Sequence, residues 1–273
     1  MSDFSIAFIG AGNMAASILG GLSAGGHPAQ SIRAADISPQ SLERLTRVAP
    51  VTTGTDNAAA AAGADVIILA VKPQVMADVC ASIAPVVTAG SPLVLSIAAG
   101  IPIASYRHWL GAAAAIVRCM PNTPSLLGCG ASGLFASPEV SAQQRERAQV
   151  IMDAVGSSVW VESEEQLHAV TAVSGSGPAY FFMFMENMVD AGERLGLDRA
   201  TAAALVQQTC LGAARMAGES GVPLEELRRR VTSPGGTTER AVASFEAQAL
   251  REITGNALDA CYARSRELSD ELG

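Results

Sequence analysis

A chain of 273 residues with 49% hydrophobic content is long enough for two domains with substantial cores. A formal net charge of −8 and no basic stripe argue against a nucleic-acid partner, so an anionic cofactor has to be drawn in by local backbone donors. Five scattered cysteines without Cys-x-x-Cys or Cys/His spacing read as reduced, mostly buried thiols of a cytoplasmic protein with no metal. No basic leader precedes the first strand, and the uncharged stretch 85–106 is broken by Pro, Gly and Ser, so neither a signal peptide nor a membrane span is expected.

The first strand is the apolar run Phe4, Ile6, Phe8 and Ile9. Gly10, Gly12 and Ala15 follow in the G-x-G-x-x-G/A order, opening a helix to Leu22. Strand, glycine turn and helix form the context of the dinucleotide fingerprint: Gly10 for the tight turn, Gly12 for close approach of a pyrophosphate, Ala15 for close packing. Free N–H groups at the helix start then face the phosphates. The plainer alternative is a βα turn without a cofactor. Ser31 to Ala35 is a second strand ending on Asp36, placed either to bind a ribose 2′-hydroxyl or to cap a helix from Pro39 to Val48. A short strand at Val51-Thr52 and a helix from Asn57 to Ala62 follow. Asp65 to Val71 is a buried parallel strand that delivers Lys72, the only lysine, either to the ligand crevice or to a solvated turn. Pro73 opens a helix to Val87. Strands are expected at Leu93 to Ile97, Ala113 to Cys119, 128–136 and 157–161, with a helix from Ala142 to Val155. Residues 1–162 therefore read as an α/β, doubly wound nucleotide-binding domain.

From Glu164 strand signals vanish, and 163–273 reads as all-α. Val173 to Tyr180 is a small-residue turn. Tyr180 to Leu195 is apolar nearly all round, so it must be buried, and a subunit interface is the place for it. Further helices are expected at 199–218, 223–231 and 238–250, with a last one to Glu271. Between two of them, Val231 to Arg240 carries Gly235, Gly236, Thr237 and Thr238. That loop is either a receptor for a small carboxylate, built from N–H and hydroxyl donors, or a hinge capped by Thr. His27, His108 and His168 lie in unrelated contexts and suggest no catalytic histidine.

Taken together the motifs resemble pyrroline-5-carboxylate reductase over essentially the whole chain. They are Phe8-Ile-Gly-Ala-Gly-Asn-Met14, Ala70-Val-Lys-Pro73, Ser96-Ile-Ala-Ala-Gly100, Arg118-Cys-Met-Pro-Asn-Thr-Pro124, Val173-Ser-Gly-Ser-Gly-Pro-Ala-Tyr180 and Val231-Thr-Ser-Pro-Gly-Gly-Thr-Thr238. The resemblance implies a Rossmann domain followed by a helical dimerisation domain, with dimers that often assemble into decamers. It implies reduction of 1-pyrroline-5-carboxylate to proline with NADPH or NADH, the last step of proline synthesis. Ile9, Gly10, Ala11, Gly12, Asn13 and Met14 would hold the cofactor's pyrophosphate region. Asn57, Ala70, Val71, Lys72, Ile97, Ala98 and Ala99 would line the rest of its path. Gly236, Thr237 and Thr238, reached from the partner subunit, would take the substrate carboxylate, with Glu164, Ser174 and Ser176 flanking the pocket. Thr238 would bond the ring nitrogen as the catalytic residue. Two departures stand out: many members carry Asn at Arg230, and Ser, Thr or Arg at Asp36. Rival readings are a related cyclic-imine reductase, a non-catalytic cofactor-sensing protein, and a β-hydroxyacid dehydrogenase. The last would need a lysine in the second domain, where this chain has none.

Overall fold

Residues 4–273 are described by a computed structural model. Strands and helices alternate in the first half: β1 (Ile6–Ile9), α1 (Asn13–Ala24), β2 (Ile32–Ala35), α2 (Pro39–Val48), β3 (Thr52–Gly54), α3 (Asn57–Ala61), β4 (Val66–Leu69), α4 (Met76–Gly90), β5 (Leu93–Ser96), α5 (Ile103–Leu110), β6 (Ala115–Met120), β7 (Gly130–Ala136), α6 (Ala142–Asp153) and β8 (Gly156–Trp160). Helices then follow without strands: α7 (Gln166–Val170), a π turn (Thr171–Gly175), α8 (Gly177–Arg194), α9 (Arg199–Glu219), α10 (Leu224–Arg230), α11 (Thr237–Ala247) and α12 (Leu250–Leu272).

The strands form one sheet in the order β3-β2-β1-β4-β5-β6-β7-β8. β1 and β4 are buried at every position because helices cover both faces, which is why they read as unbroken apolar runs. Alternate residues feed two cores. Phe8 and Ile68 meet Ile18 and Leu19 of α1 on one face, while Ile9, Ile67 and Leu69 meet Met76, Ile83 and Tyr106 on the other. The sheet is parallel except at β6 and β7, which pair antiparallel. The segment between those two strands is a short loop with a 3-10 turn at Thr123–Leu127, too short for the crossover that a parallel pair requires.

Several local expectations are corrected. Pro73 opens a 3-10 turn, Pro73–Val75, and the α-helix begins only at Met76. Ser38, not Asp36, caps α2, accepting from the Ser41 N–H. The Val173 to Tyr180 stretch is not a turn between helices but the π-type widening of a helical path. The cysteines are free, yet only Cys80 and Cys119 are buried, and Cys129 is exposed. Burial pushes the Cys80 and Cys119 thiols up to about 12, so both stay protonated and inert.

Two compact units divide the chain, 4–176 with 261–273 and 177–260. The chain thus changes unit after Ser176, beyond the expected division at 162/163, and the last part of α12 returns to the first unit. There His168 meets Ser265 at 2.9 Å, and Tyr262 donates to Glu165 at 2.7 Å. In the second unit the buried apolar cluster holds only Val189, Ala202 and Val206. Phe181, Phe182 and Met183 of α8, expected to be buried, are 71, 63 and 66% exposed in the single chain. Among the described residues no helix is long and apolar enough to cross a membrane.

Gly10 stands at φ +102°, and a Cβ there would lie 2.6 Å from the Ala70 carbonyl oxygen. Gly26, at φ +83°, has open space around the same position. Gly26→Ala should cost about 1 kcal/mol of left-handed strain. Gly10→Ala should cost well beyond that, because backbone must also move. Thermal melts that rank the two variants equally would remove the close approach as the reason for glycine.

Candidate active site

The sheet register assembles the first part of the site. Ile9 pairs with Ala35 on one side and Leu69 on the other, and Leu69 pairs with Ser96. The next residue of each strand therefore falls in one row at the carboxyl edge: Asp36, Gly10, Ala70, Ile97. Backbone bonds hold the row, from the Gly10 N–H to Ala35 O at 2.8 Å, Ala70 N–H to Ile9 O at 2.8 Å, and Ile97 N–H to Leu69 O at 3.2 Å. The chain leaves β1 for β2 on one side and reaches β4 on the other, and ligands of open α/β sheets bind in the crevice at such a reversal.

At the centre of the row α1 starts on Gly12, which has no side-chain cap. A Cβ on Gly12 would meet nothing within 4 Å, so the turn leaves open space in front of the first N–H groups of α1. Asn13 and Met14 form the first turn, and Ala15 is fully buried beneath it. An uncapped helix start with no acidic residue in its first turn, opening on free space, fits a dinucleotide pyrophosphate.

Asp36 is part of the turn's own frame. Its Oδ2 accepts from the Ala11 N–H at 2.7 Å and its Oδ1 from the Ser38 N–H at 2.8 Å. The Arg44 guanidinium donates to the Ala11 carbonyl at 3.3 Å. Arg33 points elsewhere, donating to the Ala62 carbonyl. Asn57 heads α3 and donates to Ser82 Oγ of α4 at 3.1 Å. Val71 is half-buried, and Lys72 is exposed at the carboxyl end of β4. Ile97 and Ala98 are half-buried and Ala99 is exposed.

The next strands bring in residues that sequence reasoning did not assign. Arg118 on β6 is buried, and its Nη1 donates to Glu164 Oε1 at 2.7 Å. The same Glu164 oxygen accepts from the Ile103 N–H at the start of α5, also at 2.7 Å. Glu164 is thus a bracket between β6 and α5. Asn122, in the Met120–Pro124 loop, donates to the Ser174 carbonyl at 3.0 Å and accepts from the Ala131 N–H at 2.9 Å. That bond ties the proline-fixed loop to the π turn. Ser174 returns its hydroxyl to Val170 O, and Ser176 accepts from Cys261 Sγ. At Gly175 a Cβ would lie 2.7 Å from Met120 Cε, so the turn packs closely on the loop. A groove of about 550 Å³ opens beside Ser174, walled by Ser132, Trp160, Val170 and Val173, and the glycine turn does not line it.

In the second unit, Gly236 takes the cap position of α11, and Thr237 and Thr238 are its first two residues. Thr as the cap is therefore corrected to Gly. Both threonines are exposed, and α11 has no side-chain cap, so its first N–H groups and two hydroxyls face outward together. Glu239 bends back to accept from the Gly235 N–H at 2.7 Å, steadying a turn in which Gly235 stands at φ +75°. Arg230 pairs with Glu226 at 2.8 Å.

Comparison with known proteins agrees with both halves. Residues 164–268 match the family model described as pyrroline-5-carboxylate reductase dimerisation, and residues 5–100 match one described as NADP oxidoreductase, coenzyme F420-dependent. A pyrroline-5-carboxylate reductase of Pseudomonas aeruginosa is 54% identical over 273 residues, 100% of either chain. Among solved structures, a pyrroline-5-carboxylate reductase of Coxiella burnetii is 45% identical with a TM-score of 0.96, covering 98% of this chain and 99% of its own. A Plasmodium falciparum pyrroline carboxylate reductase, solved with NADP bound, is 28% identical with a TM-score of 0.84, covering 98 and 99%. With half its residues shared from end to end, and its glycine turn and threonine-headed helix in matched segments, the chain belongs to the pyrroline-5-carboxylate reductase family.

Proposed function

We propose that the protein reduces 1-pyrroline-5-carboxylate to L-proline with NADH or NADPH. The observation that carries this reading is the row Asp36, Gly10, Ala70, Ile97 at the carboxyl edge of the sheet, in a chain whose full-length relatives are pyrroline-5-carboxylate reductases. Ile9 to Met14 frame the pyrophosphate, and the uncapped N–H groups at the start of α1 are its donors. Asp36 lies on the ribose side, near Asn57. Ala70, Val71, Lys72, Ile97, Ala98 and Ala99 continue the path towards the nicotinamide. When bound, the reduced nicotinamide supplies a hydride to the carbon of the C=N bond.

The helical part of a second copy of the chain supplies the substrate side. Gly236, Thr237 and Thr238 take the carboxylate on free N–H groups and hydroxyls, as helix starts do. The Thr238 hydroxyl accepts from the protonated ring nitrogen. Ser174 and Ser176 flank the pocket, and Glu164 keeps its surroundings in place. A protonated cyclic imine already accepts hydride, so these residues need only hold ring against ring, and orientation supplies roughly 7–11 kcal/mol in favourable cases. His168 has a structural partner in Ser265, and burial lowers its pKa.

The same proposal includes a homodimer formed through the exposed face of α8. Burying each such side chain contributes about 1.5–3 kcal/mol, and the matched dimerisation segment spans the helix. Assembly of dimers into a decamer and a cytoplasmic location complete the reading. Free thiols at all five cysteines suit the latter.

Thr238→Ala should lower kcat at least tenfold, whereas Thr46→Ala on α2 should leave it unchanged. Equal rates for the two would remove Thr238 from the site. Asp36 places negative charge where NADP carries its extra phosphate, so the native chain should favour NADH. Asp36→Ser should move the NADPH/NADH ratio of kcat/KM at least tenfold towards NADPH, about 1.4 kcal/mol, and an unmoved ratio would refute that role. Phe181→Glu with Met183→Glu should abolish the dimer seen by light scattering at micromolar concentration. A dimer that persists would mean another face joins the subunits.

A further inference from the structure

Tyr106 is fully buried on α5, yet it carries a polar group into the core beside the cofactor edge. A buried hydroxyl is tolerated only with a partner. Its partner is Ser96 Oγ at 2.5 Å, on the last residue of β5. The same Ser96 oxygen accepts from the Ala98 N–H at 3.3 Å, inside the Ile97–Ala99 turn. Burial raises the Tyr106 pKa, so the phenol stays protonated across the working pH range. The far end of the relay is fixed too. Glu164 holds the first residue of α5 through the Ile103 N–H, and Arg118, which pairs with Ser96 in the sheet register, holds Glu164. The ring of Trp109 meets the Tyr106 ring edge-on at 5.8 Å and limits its tilt.

Along the carboxyl edge, Asp36 marks the ribose side and Gly10 the pyrophosphate, so the turn after β5 lies on the nicotinamide side. We propose that Tyr106 is a positioning residue which, through Ser96, sets the Ile97–Ala99 turn against the nicotinamide half of the dinucleotide. The inference rests on the reading of this edge as the cofactor site. A rigid turn there aligns the hydride donor, and small displacements at such a site change turnover more than binding of the remote half. Phe at position 106 would keep the ring and its packing while removing only the hydroxyl.

The test compares the native protein with Tyr106→Phe, Ser96→Ala and the double variant. Expected is a fivefold or larger fall in kcat for Tyr106→Phe with a weaker dissociation constant for NADH. Binding of ADP-ribose, which lacks the nicotinamide, should be unchanged. The double variant should be no worse than the poorer single, because both remove one relay. Equal weakening of NADH and ADP-ribose would assign Tyr106 to general packing and overturn the inference, as would additive losses or unchanged kinetics. If Tyr106→Phe does not fold, the same comparison is read from Ser96→Ala. Native protein that neither binds nor oxidises NADH or NADPH would sink the underlying cofactor reading. Native turnover with a fully active Tyr106→Phe would sink only the positioning role.

Discussion

Everything at the nucleotide edge depends on β1 lying between β2 and β4 with no slip in register. Ile9 lies in register with Ala35 and Leu69, its carbonyl accepts from the Ala70 N–H and the Gly10 N–H donates to Ala35 O, so the turn at Gly10 must come out level with Asp36 and Ala70. In a parallel sheet a slip of one residue would exchange the two faces of β1, sending Phe8 and Ile9 into each other's cores. The cost of that exchange fixes the register. The register in turn lets Gly10 approach Ala70 so closely that no side chain fits. The same constraint keeps Gly12 clear, so the start of α1 opens on free space.

The fold was legible wherever the signal was local. The runs that became β1, β4 and β5 are short, apolar and bounded by Gly, Pro or Lys, and the glycine turn needs a φ that few residues adopt. α9 and α10 agree with the sequence to a residue because their flanking loops carry Gly and Pro, whereas the expected 238–250 helix ends at Ala247, since the loop Gln248-Ala249 has neither. What stayed hidden was long-range. Arg118 and Glu164 are 46 residues apart, and Asn122 reaches Ser174 across 52. One signal was available: Arg118 is a lone charge in an otherwise apolar strand, and a charge buried there demands a carboxylate. The spacing of Asp36 to the helix allows a cap as well as a ribose contact. Ser38 took the capping role, leaving both Asp36 oxygens to backbone N–H groups.

The second half shows why a polar-face count alone cannot place a helix. The first part of α8, Phe181 to Met185, is apolar on every side, which demands burial, yet its own unit offers only a three-residue cluster of buried apolar side chains to receive it. The demand and the missing cover suit the homodimer proposed above, and the matched dimerisation segment spans the helix. This is the composition of an obligate interface, in which each half of a core belongs to a different chain.

The chemistry assigned to the site also explains what it lacks. Reduction of a protonated imine develops no strong anion and transfers no proton to a protein base in the hydride step. A site for it can therefore be made of backbone N–H groups and hydroxyls, without a general acid or base. Arg118 and Glu164 neutralise each other, and both Asp36 oxygens accept from backbone. The buried thiols of Cys80 and Cys119 remain protonated. Charges fixed in this way act as struts: they hold the turns after β1, β2 and β5 at set heights without competing for the proton on the substrate. A free guanidinium beside the imine would lower the pKa of its protonated nitrogen and weaken the electrophile, so the pairing of Arg118 with Glu164 suits the proposed reaction.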